Sequence, residues 1–220
     1  MKPIQIAIDG PAGAGKSTIA KRLSNILNYI YIDTGAMYRA ITYMVIQEKI
    51  PPENVQAIVQ LTEAIDIKFE EANIYANGKL LNDEVRGIEV TQLVSHIAQI
   101  PEIRSILANI QRRIAANDNV VMDGRDIGTN VLPDATLKVF LTASVEERAL
   151  RRYQELEAKG ETIDIEAVKR DIIKRDKMDA ERSHSPLVKA KDAIEIDTTN
   201  YSIDEVIDQI ISLLKDKITA

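Results

Sequence analysis

Residues Gly10-Pro11-Ala12-Gly13-Ala14-Gly15-Lys16-Ser17 decide the fold. They form a complete G-x-x-x-x-G-K-[ST], and a chance match in a chain of 220 residues is on the order of one in a hundred. The setting narrows the reading further. An apolar run at residues 4–8 leads into the stretch and a helical pattern at 16–27 leaves it, the strand–loop–helix context that the motif requires. Glycine lets the backbone wrap closely round an anion, so that consecutive N–H groups and a helix N-terminus converge on phosphate oxygens. Lys16 adds a full positive charge that reaches toward β- and γ-phosphates, and the Ser17 hydroxyl is a ligand for Mg2+.

Working outward, apolar runs at 4–8, 29–32, 120–122, 137–142 and 193–196 suit strands buried on both faces. Helical patterns lie between them at 16–27, 36–47, 102–116, 145–158, 165–180 and 202–214. This alternation predicts an α/β fold: one domain over residues 1–220, built on a five-stranded parallel sheet flanked by helices. Short runs at 65–69, 73–75 and 79–81 break the pattern. With the hairpin signal Asn77-Gly78 they predict a small antiparallel β insertion at residues 63–86. The charged segment 155–162, interrupted by Gly160, reads as a plain helix–helix connection or as a short mobile lid covering 153–163.

Composition excludes several classes. Lys and Arg total 28 against 34 for Asp and Glu, a net charge of −6, the reverse of a general nucleic-acid binder. Aromatics are 4% with no Trp, which weakens any base-stacking platform. The absence of Cys removes disulfides, thiol nucleophiles and thiolate metal sites. His96 and His184 are too few imidazoles for a His-based zinc centre. The start Met1-Lys2-Pro3-Ile4 has no apolar signal core, and no apolar run approaches the roughly 18 residues of a membrane span. The expectation is a soluble cytoplasmic protein with neither membrane nor nucleic-acid partners. No sustained heptad demands a second subunit, so a monomer is expected.

A phosphate cradle leaves the fate of the nucleotide open. The N-K-x-D segment of a guanine-reading switch is absent, since Asn117-Asp118-Asn119 lacks the lysine. After the run at 120–122 comes Asp123-Gly124-Arg125-Asp126, which puts an arginine where open α/β sheets bind ligands. Arg39 opens the second helical pattern. Arg175, Asp179 and Arg182 share one helix face, and Arg148, Arg151 and Arg152 cluster on another. Guanidinium forks suit phosphate oxygens. Any one of these arginines reads equally well as a solvated surface residue, but together they point to a second anion facing the first.

Whole segments carry a more specific signal. They are Ile8-Asp9 with the loop through Thr18, Asp33-Thr34-Gly35-Ala36-Met37-Tyr38-Arg39, and Asp123-Gly124-Arg125-Asp126-Ile127-Gly128-Thr129. Pro133-Asp134-Ala135, Phe140-Leu141-Thr142-Ala143, Glu146-Glu147-Arg148-Ala149, Arg175-Asp176 and Pro186-Leu187 follow in order. Over nearly its whole length the chain resembles the bacterial cytidylate (CMP/dCMP) kinases, in the nucleoside-monophosphate kinase group. That resemblance implies transfer of the γ-phosphoryl of ATP, with Mg2+, to CMP or dCMP.

It also implies roles by position. ATP would lie on Gly10, Pro11, Ala12, Gly13, Ala14, Gly15, Lys16, Ser17 and Thr18. Thr34, Arg39, Arg125 and Arg182 would hold the acceptor phosphate, and Arg175 and Asp179 the ribose. Ser95, Arg104 and Asp126 would read cytosine, whose N4 donor beside N3 and O2 acceptors complements a carboxylate and an arginine. Lys16, Arg125, Arg148, Arg152 and Arg182 would be catalytic through their charge. Asp33 and Asp123 would meet Mg2+ through water, with strand-end capping as the alternative for each. The insertion matches the family's monophosphate-binding region and the 155–162 break its lid, while Gly87 replaces a family Thr. The competing readings are a kinase for UMP, AMP or shikimate, a non-catalytic nucleotide sensor, and an RNA-binding module.

Overall fold

In the computed structural model, residues 2–70, 73–81, 83–158 and 160–219 are described. Residues 71, 72 and 82 of the expected insertion, and 159 of the expected lid, lie outside them. The sheet is organised around β1 (Gln5–Asp9), in which Ile6, Ala7 and Ile8 are fully buried. Alternate side chains of a strand point to opposite faces. Ile6 and Ile8 therefore pack with Leu23 of α1 (Lys16–Leu27), and Ala7 packs on the other face with Ile32 and Met122.

β2 (Ile30–Asp33), β6 (Val120–Gly124), β7 (Leu137–Thr142) and β8 (Ile194–Asp197) complete a parallel sheet of order β2-β6-β1-β7-β8. Register fixes what meets at its C-terminal edge. Asp9 pairs with Gly124 and Phe140, and Asp33 pairs with Asp123. Residues far apart in sequence thus end side by side next to the glycine loop.

Helix α8 (Ile203–Thr219) covers the α1 face through Val206, Ile207 and Ile210. A second core joins α2 (Thr34–Gln47), α3 (Val55–Ala64), α4 (Ile88–Ile97) and α5 (Pro101–Ala115) to a separate three-stranded antiparallel sheet. That sheet comprises β3 (Ile67–Glu70), β4 (Asn73–Ala76) and β5 (Lys79–Leu81), turning at Asn77-Gly78 with φ of 50° and 76°. Its strands fall within the expected 63–86. The first residues of that span finish α3, and its end is a 3-10 turn, Asp83–Arg86. Helices α6 (Val145–Ala158) and α7 (Ile165–Ala180) pack on each other through Ala149, Leu156, Val168 and Ile172. Among the described residues no helix is long and apolar enough to cross a membrane.

Candidate active site

The glycine loop is shaped by what presses on it. Gly10 has φ +146°, and a Cβ there would stand 1.9 Å from the Leu141 carbonyl oxygen, so only glycine fits. From α6, Arg148 donates through Nε to the Ala143 carbonyl at 3.0 Å and through one terminal nitrogen to the Ala12 carbonyl at 3.0 Å. The same nitrogen meets Asp176 of α7 at 2.6 Å. Arg148 is therefore a buried brace of the loop, joined to α7, and one of its contacts is made from beneath the phosphate cradle itself.

Arg151, named in the arginine set but given no site role, and Thr198, which the sequence reading missed, share this work. Arg151 donates to the Thr198 hydroxyl at 3.0 Å and the Thr198 carbonyl at 2.8 Å, while that hydroxyl lies 3.1 Å from the Thr142 carbonyl. Thr198 directly follows β8, so the rule that ligand sites gather at strand ends could have found it. Arg152 pairs with Glu155 at 2.8 Å and stays about a third exposed.

Lys16 is almost fully buried and donates to the Pro11 carbonyl at 2.7 Å. Burial, then the neighbouring charges of Arg125 and Arg175, push its ammonium down to about 7. Ser17 donates to one Asp123 oxygen and Tyr31 to the other, each at 2.8 Å, and the Thr34 hydroxyl donates to the Asp123 carbonyl at 2.7 Å. Burial, with Asp33 nearby, pushes the Asp123 carboxyl up to about 6.

These contacts bear on Mg2+. A hydroxyl and a carboxylate touching beside Lys16 are the hard oxygen donors that Mg2+ prefers. Among the described residues no group of three or more His, Cys, Asp or Glu could hold a metal unaided. The donor set therefore fits an ion that arrives with phosphates and water. Asp33 is otherwise engaged: one oxygen accepts from the Ala36 amide at 2.8 Å, capping α2, and the other meets Arg39 at 3.1 Å.

Across the crevice, Arg125 donates to Asp179 at 2.9 Å, and Arg182 lies 3.6 Å from the other oxygen of that carboxylate. The Nε atoms of Arg39, Arg104 and Arg182, and one terminal nitrogen of Arg182, are buried with no partner. Such groups normally find one, since an unmet buried donor costs about 1–3 kcal/mol. Arg175 is pushed down to about 10 by burial and by Arg125, with Arg39 and Arg152 adding to the effect. Burial and Arg104 likewise lower Arg182. The guanidiniums thus face one another closely enough to repel.

At the far end Arg104 meets Asp126 at 2.7 Å, donates to the Ala98 carbonyl at 3.1 Å, and sits 5.5 Å from the Tyr38 ring centre. Ser95 is half-buried on α4 and makes no direct bond to this pair.

A family model for cytidylate kinase matches residues 6–216, which span the loop, the arginine crevice and the Arg104–Asp126 pair. The chain belongs to the cytidylate kinase family. It is 57% identical over 215 residues to a cytidylate kinase of Alkaliphilus oremlandii, covering 98% of this chain and 99% of that one. Against a cytidylate kinase of Alkaliphilus metalliredigens it is 52% identical, with 97% of each chain covered. Among solved structures, an uncharacterized protein from Eubacterium ventriosum superposes with a TM-score of 0.52 at 16% identity, covering 96% of this chain and 98% of that one, a likeness of fold alone.

Proposed function

We propose that the protein transfers the γ-phosphoryl group of ATP to the 5′-phosphate of CMP or dCMP, yielding ADP and CDP or dCDP. The observation that carries this reading is the set of buried, unpartnered guanidinium donors on Arg39 of α2, Arg104 of α5 and Arg182 just after α7, together with the buried Lys16 of the loop. One anion suits the loop amides and Lys16. A second suits Arg39, Arg125 and Arg182, with Thr34 beside them. Arg175 and Asp179 take the ribose, and Asp126 with Arg104, assisted by Ser95, takes cytosine.

A phosphate monoester with a second pKa of about 6 is already a nucleophile at neutral pH, so no side chain has to remove a proton. Catalysis then rests on alignment of two phosphates and on positive charge where charge develops. Lys16 and Arg125 supply it at the reacting end, and Arg182 holds the acceptor. Arg148 keeps the Ala12 carbonyl turned away from the nucleotide, and Arg152 adds charge from the segment that closes. Ser17, with Asp123 through water, would hold the Mg2+ that arrives with ATP, and the ion would supply charge neutralisation. Residues 153–163 act as the lid that excludes water, without which ATP would be hydrolysed. The protein works as a cytoplasmic monomer.

ADP release measured with ATP·Mg2+ and a panel of CMP, dCMP, UMP, AMP and shikimate tests this. Turnover is expected with CMP and dCMP far above the rest. Equal or faster turnover with another acceptor would overturn the assignment, and ATP binding without acceptor-dependent release would point to a sensor.

A further inference from the structure

The residues after Asp126 form a single π turn, Ile127–Val131, with Asp126 at its N-cap. The first amides of such a turn have no partner within it, and an N-cap Asp ordinarily bends back to accept from them. Asp126 does not. Its side chain makes no capping bond; one oxygen meets Arg104 at 2.7 Å and the other accepts from the Asn130 amide group at 3.0 Å. The vacant role is filled from another strand. Asp9 accepts from the Ile127 amide at 2.8 Å and the Gly128 amide at 2.7 Å, across 118 and 119 residues of sequence. The turn is seated closely: a Cβ on Gly128 would stand 3.1 Å from Lys138 Cδ and 3.4 Å from an Asp9 oxygen.

We propose that Asp9 is a specificity-positioning residue: by capping the 127–131 turn in place of Asp126, it frees the Asp126 carboxylate for the nucleobase. The inference rests on the base-reading role given above to Asp126. Asp9 immediately precedes Gly10, so one buried carboxylate locks the base-reading turn onto the strand that carries the donor loop. With Asp9→Asn, an NH2 group opposes one of the two amides. The acceptor nearest in sequence to that amide is then Asp126 itself, which is drawn off the base.

The test compares kcat/KM for CMP and for UMP at saturating ATP·Mg2+, with thermal unfolding, in the wild type, Asp9→Asn, Gly128→Ala and Asp126→Asn. Asp9→Asn and Gly128→Ala are expected to lower the CMP-to-UMP ratio at least tenfold, mainly through the CMP KM, with the ATP KM within twofold of wild type. A purely structural role would lower the unfolding temperature and both rates together, leaving the ratio unchanged, and that result overturns the proposal. Should Asp9→Asn fail to fold, Gly128→Ala carries the test. If Asp126→Asn also keeps the ratio, the base-reading assignment itself has failed. If Asp126→Asn loses the ratio while the other two keep it, only the role of Asp9 has failed.

Discussion

Arg125, at the end of a central strand, donates to Asp179 on helix α7 at 2.9 Å. That bond joins the strand edge to the helix bearing Arg175, just past whose end Arg182 lies, and it neutralises only part of the positive charge gathered there. Three predictions about the acceptor and donor ends follow from how the remaining charge is held, and a fourth concerns the backbone of the loop.

Arg182→Ala removes a buried guanidinium with two unpartnered nitrogens. Charge-assisted bonds to a phosphate are worth about 1.5–3 kcal/mol each. The specificity constant for CMP should fall on the order of a hundredfold, with the ATP KM within about threefold. Steady-state kinetics with each substrate varied in turn checks this, and an unchanged CMP constant would show that the acceptor lies elsewhere.

Lys16 at about 7 is largely neutral in the free protein at pH 8. Phosphate anions beside it favour the charged form, so ATP binding should draw in close to one proton at pH 8. At pH 6 the ammonium is already charged, and uptake there should be small. Calorimetry in buffers of different ionisation enthalpy reads the proton directly. Lys16→Met should abolish the uptake at pH 8 and reduce turnover by several orders of magnitude.

Thr198→Val keeps the shape of the side chain but removes the hydroxyl that accepts from Arg151 and lies beside the Thr142 carbonyl. The same hydroxyl also lies 3.5 Å from the Ala14 carbonyl of the loop, so the ATP KM should rise roughly five- to tenfold while the CMP KM stays near wild type; a change of that size is about 1–1.4 kcal/mol, the worth of one hydrogen bond. Equal effects on both substrates would mean that the bracket serves general stability alone.

Gly10→Ala drives a methyl group into the Leu141 carbonyl oxygen. The chain must part β1 from β7 locally, and a loss of more than about 3 kcal/mol is expected, beyond the usual range for a point mutation. Chemical denaturation gives the number, and a loss under 1 kcal/mol would show that the loop relaxes freely.

Much of this architecture could be read in the residues. The inner strands β1, β6 and β7 are near-continuous apolar runs buried on both faces, while edge strand β8 exposes Glu195 and Asp197, and the glycine loop marks where the first strand ends. Helices α1, α6 and α7 start and stop where their patterns do. Helices α3 and α4 escaped. Each is only ten residues long, and α4 carries Ile88, Val90, Thr91 and Val94, branched residues that suit strands as readily as helices. Part of the arginine crevice was legible because Arg125 follows a strand and Arg175 and Asp179 share a helix face, but the expected helical spacing wrongly carried Arg182 onto that helix, which ends at Ala180. The Asp9 cap was not, because two bonds spanning more than a hundred residues leave no local pattern. Arg148 and Arg151 could be recognised as a helical cluster, but their attachment to loop carbonyls and to Thr198 depends on packing of α6 that no spacing encodes.

The unspent donors of Arg39, Arg104 and Arg182 also bear on how long the protein lasts. A cavity lined by mutually repelling cations opposes its own compactness until anions fill it. Resistance to heat and to proteases should therefore climb with the supply of nucleotides, so that the same residues that select substrates would tie the lifetime of the catalyst to the abundance of its feedstock.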